Sequence, residues 1–127
     1  MKRSVLFLTL VIVALCAFAT PPNLSCETIF GRKDIRKEGH KVVSVTGPGN
    51  YYRSVSSDND PQLRDDIIKL VEKDKKRAFN VYETYENGKE KVILNIKNNE
   101  QVINVGLTWN EEGYINLFIQ GPPEAFE

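Results

Sequence analysis

The sequence predicts an all-β protein: an antiparallel sheet ending in a four-stranded meander, arranged as a small sandwich. Three observations carry this. Residues 79–121 hold four runs in which apolar and polar side chains alternate, the period of a half-buried strand. The runs are separated by Asn87-Gly88, Asn98-Asn99 and a Asn110–Gly113 turn, and Asn-Gly is the strongest short hairpin signal. The last run, around Ile115, Leu117 and Ile119, is apolar on its second side too, through Tyr114 and Phe118. That is expected of a covered strand or one meeting a second sheet.

Each strand of the meander can be given one apolar side. Phe79, Val81 and Tyr85 line the first, interrupted by Glu83, and Val92, Leu94 and Ile96 the second. Ile103, Val105, Leu107 and Trp109 line the third, and Ile115, Leu117 and Ile119 the fourth. At about 1.5–3 kcal/mol per large side chain buried, this set can hold a domain together. A second hairpin precedes it: residues 41–46 alternate, Gly47-Pro48-Gly49-Asn50 is a turn, and residues 51–56 return.

Residues 61–78 read two ways. Leu63, Ile67, Leu70, Val71 and Ala78 fall on one helical stripe, with Asp60 as N-cap and Pro61 as first helical residue. That is the α+β alternative, one helix near 61–78. The short apolar run at 67–72 reads instead as a strand, with Asp74-Lys75-Lys76-Arg77 as a turn.

The ends set the address. Met1-Lys2-Arg3 is basic, residues 4–16 are apolar apart from Ser4 and Thr9, and Ala17-Phe18-Ala19 is a small-x-small site. This is a secretory signal peptide cut between Ala19 and Thr20. The expected organisation is therefore a signal over 1–19, a flexible mature start over 20–27, one domain over 28–121 and a tail over 122–127. The product is expected to be secreted and extracellular, with no membrane attachment. Removing Lys2 and Arg3 leaves 15 basic and 17 acidic residues, a balance that does not suggest nucleic acid. Arg32, Lys33, Arg36, Lys37 and Lys41 are interleaved with Asp34 and Glu38, which reads as a self-compensated surface.

Cys16 leaves with the signal, so Cys26 has no partner within its mature chain. It is a candidate for an intermolecular disulfide linking a dimer, or a small buried apolar residue. Asn23-Leu24-Ser25 is an N-glycosylation sequon on Asn23. His40 and Cys26 are the single histidine and thiol of the mature chain, and no third group is indicated to orient them as a dyad. No metal-ligand spacing or glycine-rich phosphate loop stands out, so no catalytic residue, metal or cofactor is expected. A non-enzymatic protein-binding role is the expectation.

The C-terminal third resembles the insect multiprotein bridging factor two family, which includes salivary and venom peptides. The matching places are Glu83, Asn87-Gly88-Lys89, the strand at Val92, Val105-Gly106-Leu107, and Gly113-Tyr114-Ile115-Asn116-Leu117 ending at Gly121. Asn98-Asn99 stands for the family's paired glycines. Upstream, Phe30-Gly31-Arg32 and Gly39-His40-Lys41-Val42-Val43 resemble its opening, with His40 where an aspartate is usual. The resemblance implies an all-β fold with a strand over 66–73. It also implies transcriptional coactivation by bridging an activator and the general transcription machinery, a nuclear role at odds with a signal peptide. Two other functions remain open: a secreted salivary, venom or haemolymph effector or inhibitor with a ribonuclease-like or cystatin-like α+β fold and no catalysis, and an apolar-ligand carrier. Gln101-Val102-Ile103-Asn104-Val105-Gly106 only approximates the cystatin inhibitory loop.

Overall fold

The computed structural model describes residues 24–127. Asn23 and the expected cleavage site at Ala19 and Thr20 lie outside them. A 3-10 helix, Ser25–Gly31, is followed by β1 (His40–Gly47), β2 (Asn50–Ser57) and one α-helix, α1 (Pro61–Lys75). Then come β3 (Ala78–Glu86), β4 (Lys89–Asn98), β5 (Gln101–Trp109) and β6 (Ile115–Gly121), closed by a second 3-10 helix, Pro123–Phe126. The strands form one antiparallel sheet in the order β1-β2-β6-β5-β4-β3. The C-terminal meander is thus as expected, β6 accepting the first hairpin along its free side.

The sheet is open and single, with α1 and the first 3-10 helix packed on one face where a sandwich would put a second sheet. The strand implied over 66–73 is not there. Leu63, Ile67 and Val71 share one side of the helix and all three are buried, whereas a strand would bring Asp65 and Lys69 onto that same side. Asp60 Oδ1 accepts the Leu63 N–H at 3.0 Å and Pro61 opens the helix, as its pattern predicts. The helix ends at Lys75, so Ala78 belongs to β3.

The turns follow from local chemistry. Asn87 and Gly88 both have positive φ, 55° and 79°, the two-residue turn that matches strand twist. At the next hairpin the positive φ values fall on Asn99 and Glu100, one residue beyond the Asn98-Asn99 pair read from the sequence.

Both ends of the described region, residues 24–31 and 122–127, are more tightly held than their composition suggests. Leu24 and Cys26, placed by sequence in a flexible start, are fully buried with Ile29. The cause is Asp74, itself fully buried, whose Oδ1 accepts the Ser25 N–H at 2.7 Å and Oδ2 the Cys26 N–H at 2.8 Å. A carboxylate satisfies backbone donors that open the 3-10 helix, and those donors satisfy the carboxylate. The tail is fixed likewise: Asn98 Nδ2 donates to the Ala125 carbonyl, Asn99 Nδ2 to the carbonyls of Glu124 and Glu127, and Ala125 is buried.

Candidate functional site

Strand register determines what the uncovered face presents. Side chains alternate between faces, so Val55, Val92, Leu94, Ile96, Ile103, Val105, Leu107, Ile115, Leu117 and Ile119 form the helix side and are buried. Their neighbours in sequence point away from the helix and align into three rows across all six strands. The central row is Tyr82, Ile93, Gly106, Phe118, Ser54 and Val43. On one side lies Asn80, Asn95, Asn104, Gln120, Tyr52 and Val45; on the other, Thr84, Lys91, Thr108, Asn116, Ser56 and Lys41.

The central row is apolar because Phe118 fills the place a side chain at position 106 would occupy. A Cβ on Gly106 would run into the Phe118 ring, and Tyr52 stacks on the ring's other flank, centroids 6.2 Å apart. The amide row is internally bonded: Asn80 Nδ2 donates to Asn95 Oδ1 at 2.8 Å, and Asn95 Nδ2 to Asn104 Oδ1 at 2.6 Å. This ladder fixes the flank in place. The eighteen row positions include lysines 41 and 91 and no carboxylate. The doubly apolar character of the last strand thus arises from its buried side plus this half-exposed row.

The residues singled out in sequence are kept apart. His40 Nε2 lies 2.6 Å from Asp60 Oδ2 and Nδ1 lies 2.9 Å from the Ile35 carbonyl. Both partner atoms are oxygens that can accept from the ring. Lys37 Nζ joins at 3.4 Å. Burial alone would raise the Asp60 carboxyl, but the Leu63 N–H, His40 and Lys37 outweigh it and hold it at about 2. This cluster clamps β1 to the start of α1. Cys26 bonds elsewhere: burial first, then the Asp74 carboxylate, push its thiol far above the usual range. The Cys26 side chain is fully buried in this fold, and a protonated thiol is a poor nucleophile. Among the basic residues near the start, Arg32 pairs with Asp34 and Asp66, which fits the compensated surface.

Gln101 to Gly106 lie within β5, paired on both sides, and are not presented as a loop. A shallow cleft of about 240 Å³ opens beside Tyr85, Glu90 and Trp109. That is below the ~300 Å³ at which small-molecule sites begin. Among the described residues no group of three or more His, Cys, Asp or Glu is placed to hold a metal, and no helix is long and apolar enough to cross a membrane.

The sequence reading missed the three rows and Asp74. Alternation shows that strands have two sides; only the pairing registers show which outward residues meet. Asp74 had a signal, a carboxylate three positions beyond Val71 on the buried stripe, where a helix facing a core has no reason to carry charge unless it is bonded.

Comparison with curated proteins and with solved structures returns no match. One family model matches residues 12–113, most of the chain. The chain therefore belongs to that family, described as a family of unknown function (DUF6108).

Proposed function

We propose that this is a non-catalytic binding protein, exported by its N-terminal signal, which takes an extended acidic segment of a protein partner on the uncovered sheet face. The observation that carries the reading is the three-row surface: an apolar, aromatic centre flanked by amides, hydroxyls and lysines. That is the anatomy of a protein interface, an apolar core inside a polar rim. Size decides what kind of partner fits. Six strands span about 24 Å and three rows about 14 Å, roughly 340 Å². A folded partner of ordinary affinity needs about 800 Å² on each side. A single extended segment fits this footprint better than a folded domain. Lys41 and Lys91, without an opposing carboxylate in the rows, favour negative charge on that segment.

The bridging factor two resemblance contributes the non-enzymatic binding role to this reading. Its nuclear coactivation is a separate proposal, which the expected signal peptide disfavours. The exported effector or inhibitor reading gains from the helix followed by a four-stranded meander, the outline expected of that class. It is compatible with the same binding face.

The test is selection of displayed peptides against the full chain, repeated with Ile93→Asp, alongside an oligosaccharide array. Recovery of acidic peptides whose affinity falls on the order of tenfold or more with Ile93→Asp supports the reading. Peptides indifferent to that substitution, or binding of glycans in place of peptides, would overturn it.

A further inference from the structure

β3 forms a free edge of the sheet. Six large hydrophobic residues are exposed among the described residues, and four lie on this nine-residue strand: Phe79 (63%), Val81 (43%), Tyr82 (54%) and Tyr85 (65%). They lie on both faces of the sheet: Tyr82 is paired with Ile93 of the uncovered side, Val81 with Leu94 of the helix side. A free edge presents unpaired backbone N–H and C=O groups, and proteins ordinarily blunt such edges with lysine or proline. β3 contains neither, whereas the opposite edge strand, β1, carries Lys41 and leads into Pro48. The irregularity between Ala78 and Asn80 twists only its first residues.

We propose that β3 pairs antiparallel with β3 of a second copy, joining two six-stranded sheets into one of twelve about a two-fold axis at Tyr82. The sequence of the strand is self-complementary in that register. Tyr82 meets Tyr82 of the partner copy, Asn80 meets Thr84, Phe79 meets Tyr85, and neither Glu83 nor Glu86 falls directly opposite another carboxylate. Glu83 falls opposite Val81, Glu86 lies beside the bulged start of the partner strand, and Glu83 is already paired with Lys75 at 2.6 Å. Aromatic and amide–hydroxyl cross-strand pairs of this kind stabilise antiparallel sheets. A two-fold contact is closed, so it ends at two copies. A nine-residue edge about 30 Å long and about 15 Å deep covers some 450 Å² per copy, about 900 Å² in all. That lies at the weak end of specific interfaces. The dimer is therefore concentration-dependent. The three rows run on across the new junction at Tyr82, doubling their length.

This inference does not rest on the proposed function, and the test separates them. Sedimentation velocity of the full chain between about 1 and 100 µM should show monomer giving way to dimer, the range a contact of this area implies. Tyr82→Lys and Tyr82→Glu, at an exposed position, should each keep the fold by circular dichroism and weaken the dimer on the order of tenfold or more, by setting like charges face to face. An equimolar mixture of the two should recover it as a heterodimer. Ile93→Asp should leave dimerisation unchanged. A chain that stays monomeric at 100 µM, open-ended polymers, a Tyr82→Lys chain that dimerises like the parent, or a mixture that fails to recover would each overturn the proposal. Loss of the dimer in Ile93→Asp would do so as well, by moving the interface to the sheet face.

Discussion

The two faces of this sheet are built from the same strands, one residue out of step, and they are held by different physics. On the helix side, Leu94, Val105 and Leu117 are out of water against α1 and the first 3-10 helix. On the other side, Ile93, Gly106 and Phe118 are their immediate neighbours in sequence, but there Phe118 covers a glycine and the flanking amides bond one another. Removing a side chain from the first face opens a cavity. On the second it exposes a surface. The difference locates the stability of the protein on the helix side and leaves the other side for the proposed binding role.

The sharpest test of that contrast substitutes adjacent residues. Leu94→Ala should cost about 2–5 kcal/mol in urea unfolding, the range for a buried leucine, whereas Ile93→Ala should cost less than about 1 kcal/mol. Equal losses would break the comparison. Asp74→Ala removes a buried carboxyl group that ties Ser25 and Cys26 to the end of α1. Two charge-assisted bonds are lost, and the expected cost is about 3 kcal/mol. Cys26, protected in the parent, should then react with a thiol reagent without global unfolding. If Cys26 labels equally fast in both proteins, the anchoring account is wrong.

Gly106→Ala should destabilise by about 1–3 kcal/mol, because the Phe118 ring must leave its seat. In Gly106→Ala/Phe118→Ala the clash is gone, so the double variant should lose less than the sum of the single changes. Additive losses would mean that Phe118 does not rest on Gly106.

The smallest effect concerns the clamp between β1 and α1. Asp60 is held at about 2 in the folded protein, below its ordinary 3.8. A depressed carboxyl contributes stability that is complete above the unfolded value and is lost as pH falls through the folded one. Solvent screening at the Lys37 side reduces the contribution to about 1 kcal/mol. Asp60→Asn keeps the helix cap, so its deficit relative to the parent should be present at pH 6, shrink below about pH 4 and vanish only below pH 2, near pH 1. A deficit independent of pH would assign the loss to packing.

Much of the fold was legible because its signals are local. Asn87-Gly88 dictates a turn whatever surrounds it, and Asp60-Pro61 followed by Leu63, Ile67 and Val71 specifies a capped helix with one apolar side. A resemblance that called for a strand there was overridden by that period. What stayed hidden depends on partners distant in sequence. Phe79, Val81 and Tyr85 alternate like a buried face, yet α1 does not extend over β3 and they stand in solvent. Leu24 and Cys26 look like part of a loose leader until Asp74, 48 residues beyond Cys26, is placed beneath them. The proposed binding face is hidden most deeply. No single strand contains it, and Gly106 counts as apolar surface only because β6 lies beside β5.

The measurement that tests the binding face most directly is amide chemical-shift mapping of the full chain with a selected acidic peptide. Shifts are predicted along the three rows, strongest around Ile93, Asn104, Gly106 and Phe118, with α1 unmoved. Shifts centred on α1 or on the Trp109 cleft, with the rows silent, would contradict the account.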